Sequence, residues 1–366
     1  MHAGILEPIV RALEDDERIE VWHASEDRTR MREIDEALGR PLRWVRDDGA
    51  AWERFDLFLS ADPWASPTLH RCAARLNVFH GVAGKYDLDD PRSLPMGFDE
   101  YDRVAFINED RMRRYIASGI VRSEAAVLVG FPKADALVNG EYDGPRVRSQ
   151  LGLDAARRTA IYAPTWSPAS SLNLAGEAIV KRLVETGWSV IVKPHARSLD
   201  PDPQYSGGID WRRRLREMEI PGQVVVSTLA DASPLLAASD LMVTDHSTIG
   251  FEFCLLDRPL IVFDAPDLPR VARINPERIA LLRRAARVVD NATDLGFAAD
   301  EEMRNPQRLS AARRAVAREL FYQPGTATAR TLAVAYELLR LRPPPTAEAP
   351  DLSRRVPAGA PATGRS

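Results

Sequence analysis

The chain has 366 residues, 45% of them hydrophobic and 28% charged. Its 49 basic and 53 acidic residues give a formal net charge of -4, which argues against a dedicated nucleic-acid binder, since such proteins usually carry a basic excess. Two domains of ordinary size fit this length, at about 100–200 residues each.

The only cysteines, Cys72 and Cys254, cannot form a disulfide framework and lack metal-site spacing. Both fall in apolar helical patterns and read as small buried hydrophobes, which fits a reducing compartment. No stretch reaches the ~18 consecutive apolar residues of a membrane span, and acids interrupt the opening MHAGILEPIVRALEDDERIEVW. A cytoplasmic protein without a signal peptide is therefore expected. Arginine clusters such as Arg212, Arg213 and Arg214 suit either anionic lipid or a solvated helix face.

In chain order, an amphipathic helix is predicted over 5–13, a strand over 19–22, a helix over 28–38 and a strand around 42–45. FDLFLS at 55–60 is a short apolar run, the pattern of a buried strand. Residues 66–76 read as a helix, and LNVFH at 76–80 as a strand ending at Gly81. Strands over 103–107 and 126–129 enclose a helix over 108–118. The polar stretch 141–148, with Gly144 and Pro145, marks a boundary. Strands then follow over 160–163, 189–193, 223–227, 241–245 and 259–263. Helices over 175–186, 233–238 and 247–256 lie between them, with a Pro/Gly-rich loop at 200–208.

Alternating strands and helices indicate parallel sheets covered on both faces. The fold expected is α/β, with Rossmann-like domains over 1–140 and 150–325 and the site in the cleft between them. Helical patterns over 306–320 and 327–341 close the fold, the second assigned as a C-terminal helix over 326–342. The tail 343–366 is rich in Pro, Ala and Gly and should be disordered. No short-period repeat is visible. A doubly wound domain usually begins with a strand, so the opening strand is absent or lies upstream.

Open parallel sheets bind ligands beyond the carboxyl ends of their strands. After LNVF comes His80-Gly81-Val82-Ala83-Gly84-Lys85. An imidazole there can take a proton from an attacking hydroxyl, and glycine backbone can approach an anion. An isolated His-Gly is also a plain structural turn. After AVLV, Gly130-Phe131-Pro132-Lys133-Ala134-Asp135 offers a turn, a helix start or a ligand lysine. After AIYA, Thr165 can contact a phosphate, while Trp166 reads first as core.

After VIV, Lys193, His195 and Arg197 place three cation-capable groups within five residues, as a pyrophosphate needs. After LMV, Thr244, Asp245, His246, Ser247 and Thr248 lead into a helix, whose N-terminal amides would face an anion. Asp245 or Ser247 could equally cap that helix. Glu252 suits a ribose contact or an exposed acid. His2, His23 and His70 have no supporting neighbours.

The order HG…K, G-x-P-K-x-D, Y-A-P-T-W, K-x-H and T-D-x-S-[ST], then F-[DE]-F and an R-P-x-I-x-F strand, resembles the CDP-glycerol glycerophosphotransferase family. Its members include teichoic-acid glycerol-phosphate primases and polymerases, similar in fold to GT-B glycosyltransferases. The resemblance runs from about residue 76 to about residue 340, ending in PGTATAR, which is similar to the family's late D-G-x-x-[ST]-x-R. It implies that His80 is the general base. His195, Lys193 and Arg197 would stabilise the pyrophosphate and departing CMP. Asp245 would serve the chemistry beside Ser247 and Thr248, which hold phosphates, and Arg330 and Gly325 would lie near the nucleotide end. Gly81, Lys85, Lys133, Thr165, Thr244 and His246 complete the expected substrate-contacting set, with neither metal nor cofactor.

The reaction implied is in-line attack of an alcohol on the β-phosphorus of a CDP-activated donor. The acceptor would be a polyol phosphate or glycan, free or lipid-linked, with peripheral membrane contact and no nucleic acid. The chain departs from the family's usual pattern at His246 for Tyr, Ser167 for Arg, Pro194 moved ahead of the histidine, and Pro324 for Asp. These departures bear on the donor. A GT-B glycosyltransferase, a UDP-N-acetylglucosamine 2-epimerase relative and a non-catalytic nucleotide-binding protein are the alternatives.

Overall fold

A computed structural model describes residues 3–25, 27–46, 49, 53–61, 72–79, 81–82 and 98–344. The expectations at His2, His70, His80, Lys85, 62–71 and the tail from 345 lie outside the described residues.

The largest element is a parallel sheet of six strands: β7 (Thr159–Ala163), β8 (Ser189–Val192), β9 (Val224–Val226), β10 (Leu241–Thr244), β11 (Leu260–Phe263) and β12 (Arg287–Val289). Their order across the sheet is β12-β11-β10-β7-β8-β9, every neighbour parallel. The chain winds outward from β7 to β9, returns to β10 on the other side of β7, and winds out to β12. The reversal leaves a crevice at the carboxyl ends of β7 and β10. Helices cover both faces, so β7, β8, β10 and β11 are buried throughout and read as continuous apolar runs.

A second parallel sheet has the order β3-β4-β5-β6. It comprises β3 (Phe55–Ser60), β4 (Cys72–Val78), β5 (Arg103–Phe106) and β6 (Ala126–Leu128). Short β1 (His23–Ala24) and β2 (Trp44–Val45) pair separately, in place of the strand expected over 19–22. The first helix, Ala3–Glu14, and the last, Ala327–Leu339, pack together on the four-stranded sheet. Ile9 and Leu13 meet Leu76, Val78, Leu332 and Tyr336 in one cluster, and Tyr336 donates to Asp16 at 2.9 Å. This is the two-sheet α/β architecture expected.

Several local expectations need correction. Residues 72–75 belong to β4 rather than to a helix, because Phe55, Leu57 and Phe58 of β3 pair with Cys72, Ala74 and Arg75. Sheet pairing there outweighs the helix preference of Ala and Arg. The boundary at 141–148 holds a helix, Gly144–Gln150, whose cap Asp143 accepts from Arg146 N. Asp-Gly-Pro is a helix start here. Asp202 likewise caps a short helix, Pro203–Ser206, inside the expected loop. The helix expected over 247–256 contracts to Ile249–Cys254. Both cysteines are free, and Cys254 is buried.

Candidate active site

The crevice between β7 and β10 is held by one carboxylate. Asp245 is fully buried and accepts from Thr165 N at 2.8 Å, Ser171 N at 3.1 Å, Ser171 Oγ at 2.9 Å and His246 N at 2.7 Å. The Ser171 proton goes to Asp245, so the Tyr162 hydroxyl must donate the 2.9 Å bond to Ser171 Oγ. Four donors occupy the acceptor sites of an ionised carboxylate. Thr244 is engaged too, its hydroxyl donating to Ala163 O at 2.6 Å. Together they fasten the two strand ends that flank the crevice. Ser247 and Thr248 follow, half-buried, with no side-chain hydrogen bond among the described residues. Thr248 precedes a helix of only six residues and makes no side-chain cap, so hydroxyls and local amides matter more here than a macrodipole.

The end of β8 supplies the neighbouring wall. His195 Nδ1 accepts the backbone N–H of Arg197 at 3.1 Å, so a neutral ring carries its proton on Nε2. Arg197 lies over Trp166 at 4.7 Å and over Tyr205 at 5.3 Å. It pairs with no carboxylate among the described residues. Trp166 is half-buried, 6.2 Å from the His195 ring and edge-on to Tyr205 at 5.6 Å. It therefore forms a wall rather than deep core.

Two lysines nearby are shifted in opposite directions. Lys133, from the turn after β6, donates to Glu252 at 2.9 Å and lies 3.8 Å from Asp231. Burial opposes its charge, but Glu252 and Asp231 outweigh burial and leave its pKa raised. Tyr142 also donates to Asp231, at 3.1 Å. Lys193 donates to Pro194 O at 3.2 Å. Burial and the neighbouring Lys133 charge push it down to about 8.

On the four-stranded sheet, Gly81 has a positive φ of 76°. Arg111 donates to Gly81 O at 3.0 Å and stacks over Phe79 at 4.1 Å. Nothing in the sequence singles out Arg111, because its contact is 30 residues away. Asp231 and Tyr205 were missed for the same reason.

Two further motifs lock to each other. Asp135 is buried and accepts from Gly325 N at 2.8 Å and Thr328 N at 2.6 Å. Arg330 donates to Val129 O at 2.7 Å, Gln323 O at 2.8 Å, Tyr322 O at 3.3 Å and Thr326 Oγ1 at 2.5 Å. Gly130 has φ 91°, and a Cβ there would lie 2.4 Å from Tyr322 O. The motif GFPKAD is thus the socket of PGTATAR, and the Arg330 guanidinium is taken up within the protein.

Among the described residues no group of three or more His, Cys, Asp or Glu is placed to hold a metal ion, and no helix is long and apolar enough to cross a membrane.

The two larger parallel sheets, with a reversal crevice in the six-stranded one, make a GT-B-type α/β fold. Residues 98–271 match the family model described as CDP-Glycerol:Poly(glycerophosphate) glycerophosphotransferase. That region, just under half of the chain, is thus similar to the CDP-glycerol glycerophosphotransferase family. A teichoic acid poly(glycerol phosphate) polymerase of Staphylococcus epidermidis is 25% identical over 38% of this chain and 19% of its own length. A teichoic acid glycerol-phosphate primase of Bacillus spizizenii is 23% identical over 48% of this chain and 43% of its own. The chain thus spans less than half the length of either relative. The wall teichoic acid polymerase TagF, in a structure soaked with CDPG, superposes with a TM-score of 0.69 at 15% identity, over 93% of this chain and 86% of that one.

Proposed function

We propose that the chain transfers glycerol phosphate, or a related polyol or sugar phosphate, from a CDP-activated donor to a hydroxyl of a surface-polymer acceptor. The acceptor oxygen bonds to the β-phosphorus as the bridging P–O bond breaks, and CMP leaves with that electron pair. The acceptor proton passes to a base, the role proposed for His80. The observation carrying this reading is the set of side-chain donors at the crevice with no hydrogen-bond acceptor or carboxylate partner among the described residues, Arg197, Ser247 and Thr248, beside the His195 ring. They match the charge that builds on a departing phosphate, and acceleration then comes from positioning and charge stabilisation. Lys193 adds charge below pH of about 8.

Asp245, Thr244, Lys133 and Arg330 are better assigned to bracing than to chemistry or phosphate contact, since their polar atoms are already engaged within the protein. Thr165 contributes through its backbone bond to Asp245. The proposed domain boundary stays near residues 140–150, with the last helix returning to the first sheet. A lipid-linked acceptor would bring the protein to the inner membrane face. Arg213 and Arg214 are paired with Glu217 and Glu177, so that contact draws little from this cluster.

A thermal-shift panel of CDP-glycerol, CDP-ribitol, UDP-sugars and CMP tests the donor class. Cytidine ligands should stabilise the protein, and stabilisation by a UDP-sugar alone would overturn the reading. His80→Ala should retain CDP-glycerol binding and lose CMP release. Normal turnover by that variant would remove His80 as the base.

A further inference from the structure

His246 stands between Asp245 and the two free hydroxyls, yet its ring belongs to neither group. The residue is 7% exposed. Both ring nitrogens, Nδ1 and Nε2, are buried without a hydrogen-bond partner among the described residues. Buried polar groups are nearly always paired, and an orphan is costly to keep. The charged neighbours do not meet the need. Asp245 takes the backbone N–H of His246 and three other donors. Asp264 is held by Arg283 at 2.9 Å. Asp264 and Arg283 also line a cavity of about 500 Å³ beyond the carboxyl ends of β11 and β12, together with Val289, Asp290 and Phe297.

The chemistry of the ring limits what can satisfy it. Burial, the largest influence on this imidazole, favours its neutral form against the pull of Asp245. A neutral imidazole offers one donor and one acceptor. Phosphate oxygens accept but, when ionised, do not donate, so a phosphate would leave one nitrogen unmet. A hydroxyl can donate, and so can meet the acceptor nitrogen that a phosphate cannot. We infer that His246 recognises a hydroxyl of the ligand, on the ribose or the polyol of a nucleotide-activated donor, rather than its phosphates. This rests on the transferase reading above and replaces the phosphate role given to His246 from sequence. Because the nitrogens are closed off from solvent, the ring or its cover shifts as the ligand seats.

Isothermal titration of the full chain with CDP-glycerol, CDP and 2′,3′-dideoxy-CDP tests the inference. His246→Phe keeps a flat ring and removes both nitrogens. It should weaken CDP-glycerol binding by about tenfold or more. Loss shared by CDP but absent for the dideoxy ligand assigns the ribose, and loss confined to CDP-glycerol assigns the polyol. His246→Gln, which keeps a donor and an acceptor, should regain most of the affinity. Wild-type affinity in His246→Phe with a lowered melting temperature would make the ring structural and overturn the inference. If the variants fail to fold, the ring-nitrogen NMR signals of wild-type His246 decide: saturating CDP-glycerol must move them, and unmoved signals overturn the inference. Wild-type protein that binds none of the ligands sinks the transferase reading instead.

Discussion

Arg330 and Arg197 look alike in the sequence, each a lone arginine in a short motif, Arg197 just beyond a strand and Arg330 in the first turn of the last helix. Their surroundings differ completely. Arg330 is surrounded by carbonyls of residues 129, 322 and 323, in a socket that Gly130 and Asp135 complete. Arg197 lies over Trp166 and Tyr205, and no carboxylate among the described residues neutralises it. The first region uses its polar groups to hold the last helix in place. The second keeps donors available. Saturation of donors, more than residue type, separates a motif that builds the fold from one that meets a ligand.

The largest expected effect tests the first half of this contrast. Gly130→Ala would force a side chain into a positive φ of 91° and a 2.4 Å approach to Tyr322 O. Strain and overpacking at about 1–3 kcal/mol each predict a loss of about 2–6 kcal/mol. Urea unfolding should show it, while the folded fraction keeps wild-type affinity for CDP-glycerol. A large affinity loss at unchanged stability would place the socket in the ligand site and end the contrast.

The second half predicts the reverse pattern. His195→Ala or Ser247→Ala should lower kcat/KM by about 2.7–4 kcal/mol, the scale of a lost transition-state donor, and leave the melting temperature near wild type. If both variants are less stable yet turn over normally, the available donors are structural after all.

The same distinction explains what could be read in advance. FDLFLS showed its strand over Phe55–Ser60 because a short apolar run is the pattern of a buried strand, and the helix expected over 108–118 is there as Glu109–Ala117, capped by Asn108. The crevice was legible because strand ends in a parallel sheet face ligands by topology. By contrast, β12 (Arg287–Val289) went unseen: three residues carry too little pattern. The engagement of Asp245, Lys133 and Arg330 could not be seen, since their partners lie 74 or more residues away in several cases. Sequence shows which groups can bond, and only the fold shows which already have.

Lys193 gives a smaller test. Its pKa is pushed down to about 8, first by burial and then by Lys133. The ammonium therefore carries its charge below about pH 8 and loses it above. Donor affinity should fall through that range by about 1.5 kcal/mol, the low end for a hydrogen bond to a charged group. Lys193→Arg should remove the inflection, because a guanidinium stays charged. An unaltered inflection in that variant would assign the titration to another group.

The smallest effect concerns stability and separates His246 from the socket by pH alone. Burial lowers its pKa below the ordinary 6.5, with Asp245 and Asp264 opposing and Arg283 assisting. Above pH 6.5 the ring is neutral in both folded and unfolded chains and adds no slope. As pH falls below 6.5, the unfolded chain takes up the proton first, so stability drops until the folded ring also titrates. The slope from one such group is at most about 1.4 kcal/mol per pH unit. His23, also lowered chiefly by burial, adds a similar slope of its own. His246→Phe should therefore flatten the acid limb of unfolding without abolishing it, whereas Gly130→Ala should shift the whole curve and keep its shape. An acid limb unchanged in His246→Phe would mean that the ring does not resist protonation as its burial requires.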